Sequence, residues 1–80
     1  MPEVPGEIKL SLKNAREIRG MTQAEAAKLI GISTDTLGNY ERGKSYPDIP
    51  VLRKIEEIYG VKYSQLIFLP LDYDKIVNMQ

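Results

Sequence analysis

The chain is 80 residues with no Cys, no His, and eleven basic side chains against eleven acidic ones, which describes one small domain of zero formal charge. Missing Cys excludes a disulfide framework and thiolate chemistry; missing His as well removes the usual zinc ligands and the commonest general base. No apolar run approaches a membrane span or a signal peptide, so a soluble cytoplasmic protein is the default, with no cofactor and no metal.

Met1 to Ile8 contains Pro2, Pro5 and Gly6 and reads as an irregular arm. It carries Glu3 and Glu7 and no Arg, so a frayed terminus is expected ahead of a groove-reaching arm. Ser11 is an N-cap for a first helix, Leu12 to Arg19, which Gly20 ends. Leu12, Ala15, Arg16 and Arg19 share one face at three- and four-residue spacing. An Arg on an inward face needs a partner, because an unpaired buried charge is very costly.

Thr22 to Lys44 is the stretch that carries function. Thr22 is an N-cap and Glu25, three residues on, completes a capping box for a helix from Gln23 to Ile30. Gly31 tolerates the left-handed conformation just past a helix end. Ser33 then caps a second helix that turns Leu37 and Tyr40 inward, and Gly43 ends it. Ala27, Ile30 and Ile32 complete the inward set. Two helices crossing steeply over about three linking residues need a small residue at the crossing, and that is helix-turn-helix geometry. An ordinary helical hairpin explains Gly31 and the caps but leaves Ala27, Ile32 and Leu37 as coincidence.

Arg42 to Asp48 is a loop. Asp48 caps a fourth helix with Pro50 in its first turn, a stripe of Leu52, Ile55, Ile58 and Tyr59, and Gly60 as its stop. Tyr63 to Phe68 reads as a short fifth helix with Leu66 facing in, ended by Pro70. Leu71 to Gln80 is a helical turn, a strand or disorder. The core is therefore about residues 9–69, between an arm and a tail.

The sequence resembles the helix-turn-helix of the phage lambda repressor-like (Cro/repressor, XRE) DNA-binding domains. The matching residues are L-K-N-A-R-E-I-R-G-M-T-Q-A-E-A-A at Leu12 to Ala27, G-I-S at Gly31 to Ser33, Y-E-R-G-K at Tyr40 to Lys44, and Y-G-V at Tyr59 to Val61. The resemblance implies an all-α, compact five-helix domain. It also implies that Arg16 pairs with Glu41, tying helix 1 to the end of the recognition helix. A direct phosphate contact from Arg16 is the functional alternative, compatible because a guanidinium has five donors.

In helix-turn-helix proteins the first residues of the second helix read bases in the major groove. Those positions here are Ser33, Thr34, Asp35 and Thr36, with Asn39 one turn on. Thr34, Asp35 and Asn39 match base-contacting positions in similar repressors. Asn39 can form a bidentate pair with adenine, and Asp35 can accept from cytosine while repelling phosphate. Thr34 and Thr36 can touch a thymine methyl or bond a phosphate. Gln23 matches a position that bonds phosphate and buttresses the recognition helix. Thr22, Ser33, Arg42, Lys44 and Ser45 would flank the groove as backbone contacts, which fix register without reading sequence. A solvated polar face is the plain alternative for each, and the caps alone justify Thr22 and Ser33. Asn39 is a poor helix former in an exposed interior, and Gly38 beside it suggests a close approach, either by the groove or by helix 1 or 4.

Neutral charge argues against DNA binding, since affinity for the duplex is largely phosphate neutralisation. Lys9, Lys13, Arg16, Arg19, Lys28, Arg42 and Lys44 precede Pro47, however, and Asp48, Glu56, Glu57, Asp72 and Asp74 follow it, so one face can be basic within a neutral total. Ile67, Phe68, Leu69, Leu71 and Tyr73 form a nearly continuous apolar run that one short helix cannot bury, and such a patch marks an interface unless the tail folds back and covers it within one monomer. Similar repressors dimerise through this region. The sequence thus points to a sequence-specific DNA-binding regulator, a repressor binding a palindromic operator as a homodimer. The competing reading is a protein-interaction module, an antitoxin or adaptor that keeps the fold. No residue set supports an enzyme.

Overall fold

The structure, a computed structural model, describes residues 9–68. The chain runs β1 (Leu10–Ser11), α1 (Leu12–Ile18), α2 (Gln23–Ile30), α3 (Thr34–Arg42), α4 (Ile49–Tyr59), a 3₁₀ turn (Tyr63–Gln65) and β2 (Leu66–Ile67). Expectations placed on residues 1–8 and 69–80, the arm and the tail, lie outside the described residues.

Each α-helix starts on a side-chain cap. Ser11, Thr22, Ser33 and Asp48 accept from the backbone N–H of Asn14, Glu25, Thr36 and Val51 respectively. These caps satisfy donors that a helix cannot satisfy itself, and each contributes about 1 kcal/mol. The capping box of α2 is complete: Glu25 Oε1 accepts from Thr22 N at 2.9 Å. The Thr22 backbone N–H first, and its hydroxyl second, hold the Glu25 carboxyl below the usual carboxylate range. Helices α2 and α3 stop at Gly31 and Gly43, whose φ values of +91° and +76° suit a residue without a Cβ.

Helix α2 packs against α3 and α4, and α1 packs against α3. Leu37, Ile55 and Tyr59 are the largest fully buried side chains. Ala26 and Ala27 let α2 approach its neighbours closely, and both are buried. Ile32 and Tyr40 pack against this core from its edge. Full burial of a Leu or Ile contributes about 1.5–3 kcal/mol, so these few contacts hold α3 in place.

Among the described residues the expected five helices are corrected to four α-helices. The segment expected as a fifth helix is one 3₁₀ turn that opens into extended chain. Gln65 Oε1 accepts from Lys62 N at 3.0 Å, closing the turn on itself. Beyond it, Leu66 and Ile67 pair in parallel with Leu10 and Ser11. The pairing supplies ladder partners to both segments and sets Leu10 and Leu66 into the core.

Candidate nucleic-acid interface

The turn between α2 and α3 is Gly31, Ile32 and Ser33, and it delivers α3 with its first turn outward. Thr34 and Asp35 are exposed there. Thr36 is half-buried and its hydroxyl is engaged: Ser33 Oγ donates to Thr36 Oγ1 at 2.8 Å and accepts from Thr36 N at 3.0 Å. One turn on, half-buried Asn39 accepts through Oδ1 from Arg42 Nη2 at 2.8 Å. Lys44 is exposed just past the helix, its N–H donating to the Asn39 carbonyl at 2.9 Å. Thr22 is exposed, and Gln23 and Ser45 are half-buried.

Behind this face sits Glu41, its side chain only 3% exposed. Arg16 Nε donates to Glu41 Oε2 at 2.7 Å, and Arg16 Nη2 to Oε1 at 3.2 Å. Gln23 Nε2 donates to the same Oε1 at 3.0 Å. Arg16 Nη1 goes to the Met21 carbonyl at 2.8 Å. The hydrogen bond to Glu41 holds Arg16 above its ordinary pKa, against the desolvation that opposes it. One carboxylate at the end of α3 is therefore gripped from α1 and from the first turn of α2.

The structural role expected of Arg16 is present. Its side chain is 9% exposed and all three of its nitrogens hold protein acceptors, so it positions α3. Gln23 is a buttress of α3 through Glu41. The phenol of Tyr59 senses the same pair. Burial, with a smaller push from Glu41 and an opposing pull from Arg16, raises it to about 12. Tyr59 Oη has no hydrogen-bond partner among the described residues.

Gly38 is approached most closely from within its own helix. A Cβ there would meet Arg42 Nη1 at 3.1 Å, so the close approach comes from the helix's own arginine rather than from α1 or α4. The charge split at Pro47 is also weaker than expected. The seven bases before it share their half with six acids, Glu3, Glu7, Glu17, Glu25, Asp35 and Glu41, and Glu41 cancels Arg16. Local sign near α3 therefore rests on Arg42 and Lys44 set against Asp35.

Sequence reasoning missed a second arginine clamp. Arg19 Nε donates to the Tyr59 carbonyl at 2.6 Å, tying α1 to the end of α4. The only available signal was its place on the inward face of α1. Ile67 is 49% exposed and Phe68 is half-buried. Leu69, Leu71 and Tyr73 fall outside the described residues. Phe68 stacks edge-on against Tyr46 and at a tilt against Tyr63. Together with Ile49, Leu52 and Arg53 these rings line a groove of about 600 Å³ on the side of α4. Among the described residues no cluster of metal-ligating side chains occurs and no helix is long and apolar enough to cross a membrane.

A capped α2, a three-residue turn through a left-handed Gly, and an α3 with a polar outer face define a helix-turn-helix domain. The helix-turn-helix family model matches residues 12–66, and the chain belongs to that family, in its XRE-type branch. It is 40% identical over 62 residues to multiprotein-bridging factor 1c of Arabidopsis thaliana, covering 78% of this chain and 42% of that protein. It is 41% identical over 56 residues to the HTH-type transcriptional regulator ImmR of Bacillus subtilis, covering 70% and 44%. It is 36% identical over 70 residues to the SPbeta prophage-derived uncharacterized HTH-type transcriptional regulator YonR of the same organism, covering 84% and 65%. The matches thus span between 42% and 65% of the length of these relatives.

Proposed function

We propose that the chain is a sequence-specific DNA-binding transcriptional regulator, a repressor that binds a palindromic operator as a homodimer. The observation that carries this reading is the outward polar face of α3, held from behind by the Arg16–Gln23–Glu41 clamp. A recognition helix must be rigidly aimed, because a bidentate base contact tolerates little misplacement. Thr34, Asp35, Thr36 and Asn39 then reach base edges. Thr22, Gln23, Ser33, Arg42, Lys44 and Ser45 line the flanking phosphates, with Ser33 and Thr36 limited by their mutual hydrogen bond. Asp35 repels phosphate and so rejects misregistered sites.

The homodimer in this reading joins through the apolar end of the chain, Ile67 and Phe68 with Leu69, Leu71 and Tyr73. The role needs no cofactor and no catalysis, and goes with a soluble cytoplasmic protein. The names of the relatives favour both this reading and a second one. Two are called transcriptional regulators, and one a multiprotein-bridging factor. With a net charge of zero, an adaptor that docks on proteins is the alternative. Titrating duplex DNA with the chain at rising salt separates them. The DNA reading requires log affinity to fall linearly with log salt, by about 0.9 for each phosphate contacted. No duplex affinity at low salt would support the adaptor.

A further inference from the structure

Asn39 and Arg42 are not independent side chains. They lie one turn apart on α3, and Arg42 Nη2 donates to Asn39 Oδ1 at 2.8 Å. An arginine has donors only, so the end of the amide facing it must be the oxygen. Gly38 makes room for this pair. The guanidinium folds back over position 38, with Nη1 3.1 Å from where a Cβ would stand. A Cβ at 38 would press on the Nη1 end of Arg42, which would have to give by a few tenths of an ångström. This also gives a reason for a glycine in a helix interior, where it is otherwise unfavourable.

The pair changes what Asn39 can read. Adenine offers one acceptor and one donor in the major groove, so an Asn reading it must use both its oxygen and its nitrogen. Here the oxygen is already accepting from a cation. That bond polarises the amide and strengthens its N–H groups as donors. The oxygen keeps one lone pair, but the donors of the pair now outnumber it: Asn39 Nδ2 and the unused N–H groups of Arg42. Guanine, with N7 and O6 side by side, is the base edge that offers acceptors alone.

We propose that Asn39, Arg42 and Gly38 form one preassembled reading unit, in which Arg42 commits the Asn39 oxygen and turns its preference from adenine to guanine. Arg42 is then a specificity-determining residue as well as a phosphate contact. The proposal rests on the DNA-binding reading above.

Selection from random duplex DNA with the full chain and its Asn39→Ala, Arg42→Ala and Gly38→Ala variants tests it. Asn39→Ala identifies the base pair concerned, as the one whose preference it erases. The wild-type chain selects guanine there, by about tenfold over adenine. Arg42→Ala frees the oxygen and shifts that same pair toward adenine, while the salt slope falls by about 1. Gly38→Ala keeps the charge and suits a helix, yet crowds the guanidinium. It weakens the guanine preference with the salt slope unchanged. A wild-type chain that takes adenine at the Asn39-dependent pair, or an Arg42→Ala chain with unaltered preference there, overturns the inference and leaves the regulator reading standing. A chain that binds no duplex overturns both.

Discussion

Arg16 and Glu41 meet through two hydrogen bonds at 2.7 and 3.2 Å, with both side chains nearly shut off from water. The pair bridges the middle of α1 and the end of α3. A buried pair of this kind is fragile to the loss of either partner, because the other is left charged and desolvated.

Arg16→Met should therefore destabilise the domain by about 3–5 kcal/mol, read from denaturant unfolding. Replacing both residues, Arg16→Met with Glu41→Leu, should recover much of that loss. Additive losses in the single variants would mean that the two are not coupled.

Tyr59→Phe removes a buried hydroxyl that has no hydrogen-bond partner among the described residues. Such a group carries an unreturned desolvation penalty of about 1–3 kcal/mol, so the variant should be at least as stable as the parent. The alkaline limb should change too. The phenol is raised to about 12 when folded, against 10.0 as the ordinary value. Between those pH values the unfolded chain has released the proton while the folded chain keeps it, so stability falls as pH rises. The difference between parent and Tyr59→Phe, measured from pH 9 to 12 on the scale of that shift, should show this fall. A constant difference across that window would contradict the buried placement of the phenol.

Asn39→Ala should weaken binding to the preferred site by about 1–3 kcal/mol and relax preference at one base pair. Lys44→Ala should weaken all duplexes about equally and lower the salt slope by about 1. Intact base preference in Asn39→Ala would place the reading surface elsewhere.

Dimerisation has its own test. Sedimentation of the full chain at micromolar concentration should give a dimer, and a chain cut after Leu69 should sediment as a monomer. A full chain that stays monomeric both free and on a palindromic duplex would remove the symmetric-operator part of the reading.

What the sequence made legible was local chemistry. The caps at Ser11, Thr22, Ser33 and Asp48 act within three residues of themselves, and the left-handed glycines act on the turn just closed. What it hid were pairings between distant segments. Nothing in Leu10 or Leu66 alone announces a parallel strand pair, since two-residue strands leave no alternation to read. The Arg19 clamp on the Tyr59 carbonyl spans 40 residues and ends on backbone, which carries no side-chain signature. Gly38 was legible as a close approach, but the approaching group was a neighbour on the same helix. The Arg16–Glu41 pair, also between distant segments, was legible only through the family resemblance, and a count of charges on either side of Pro47 could not see it.

The central claim is that α3 reads duplex DNA as part of a symmetric pair. Selection from random duplex DNA with the full chain tests it most directly. The account predicts recovery of a palindrome whose half-sites are centred about 34 Å apart, one turn of the double helix. Recovery of no consensus, with affinity for duplex absent even at low salt, would contradict it.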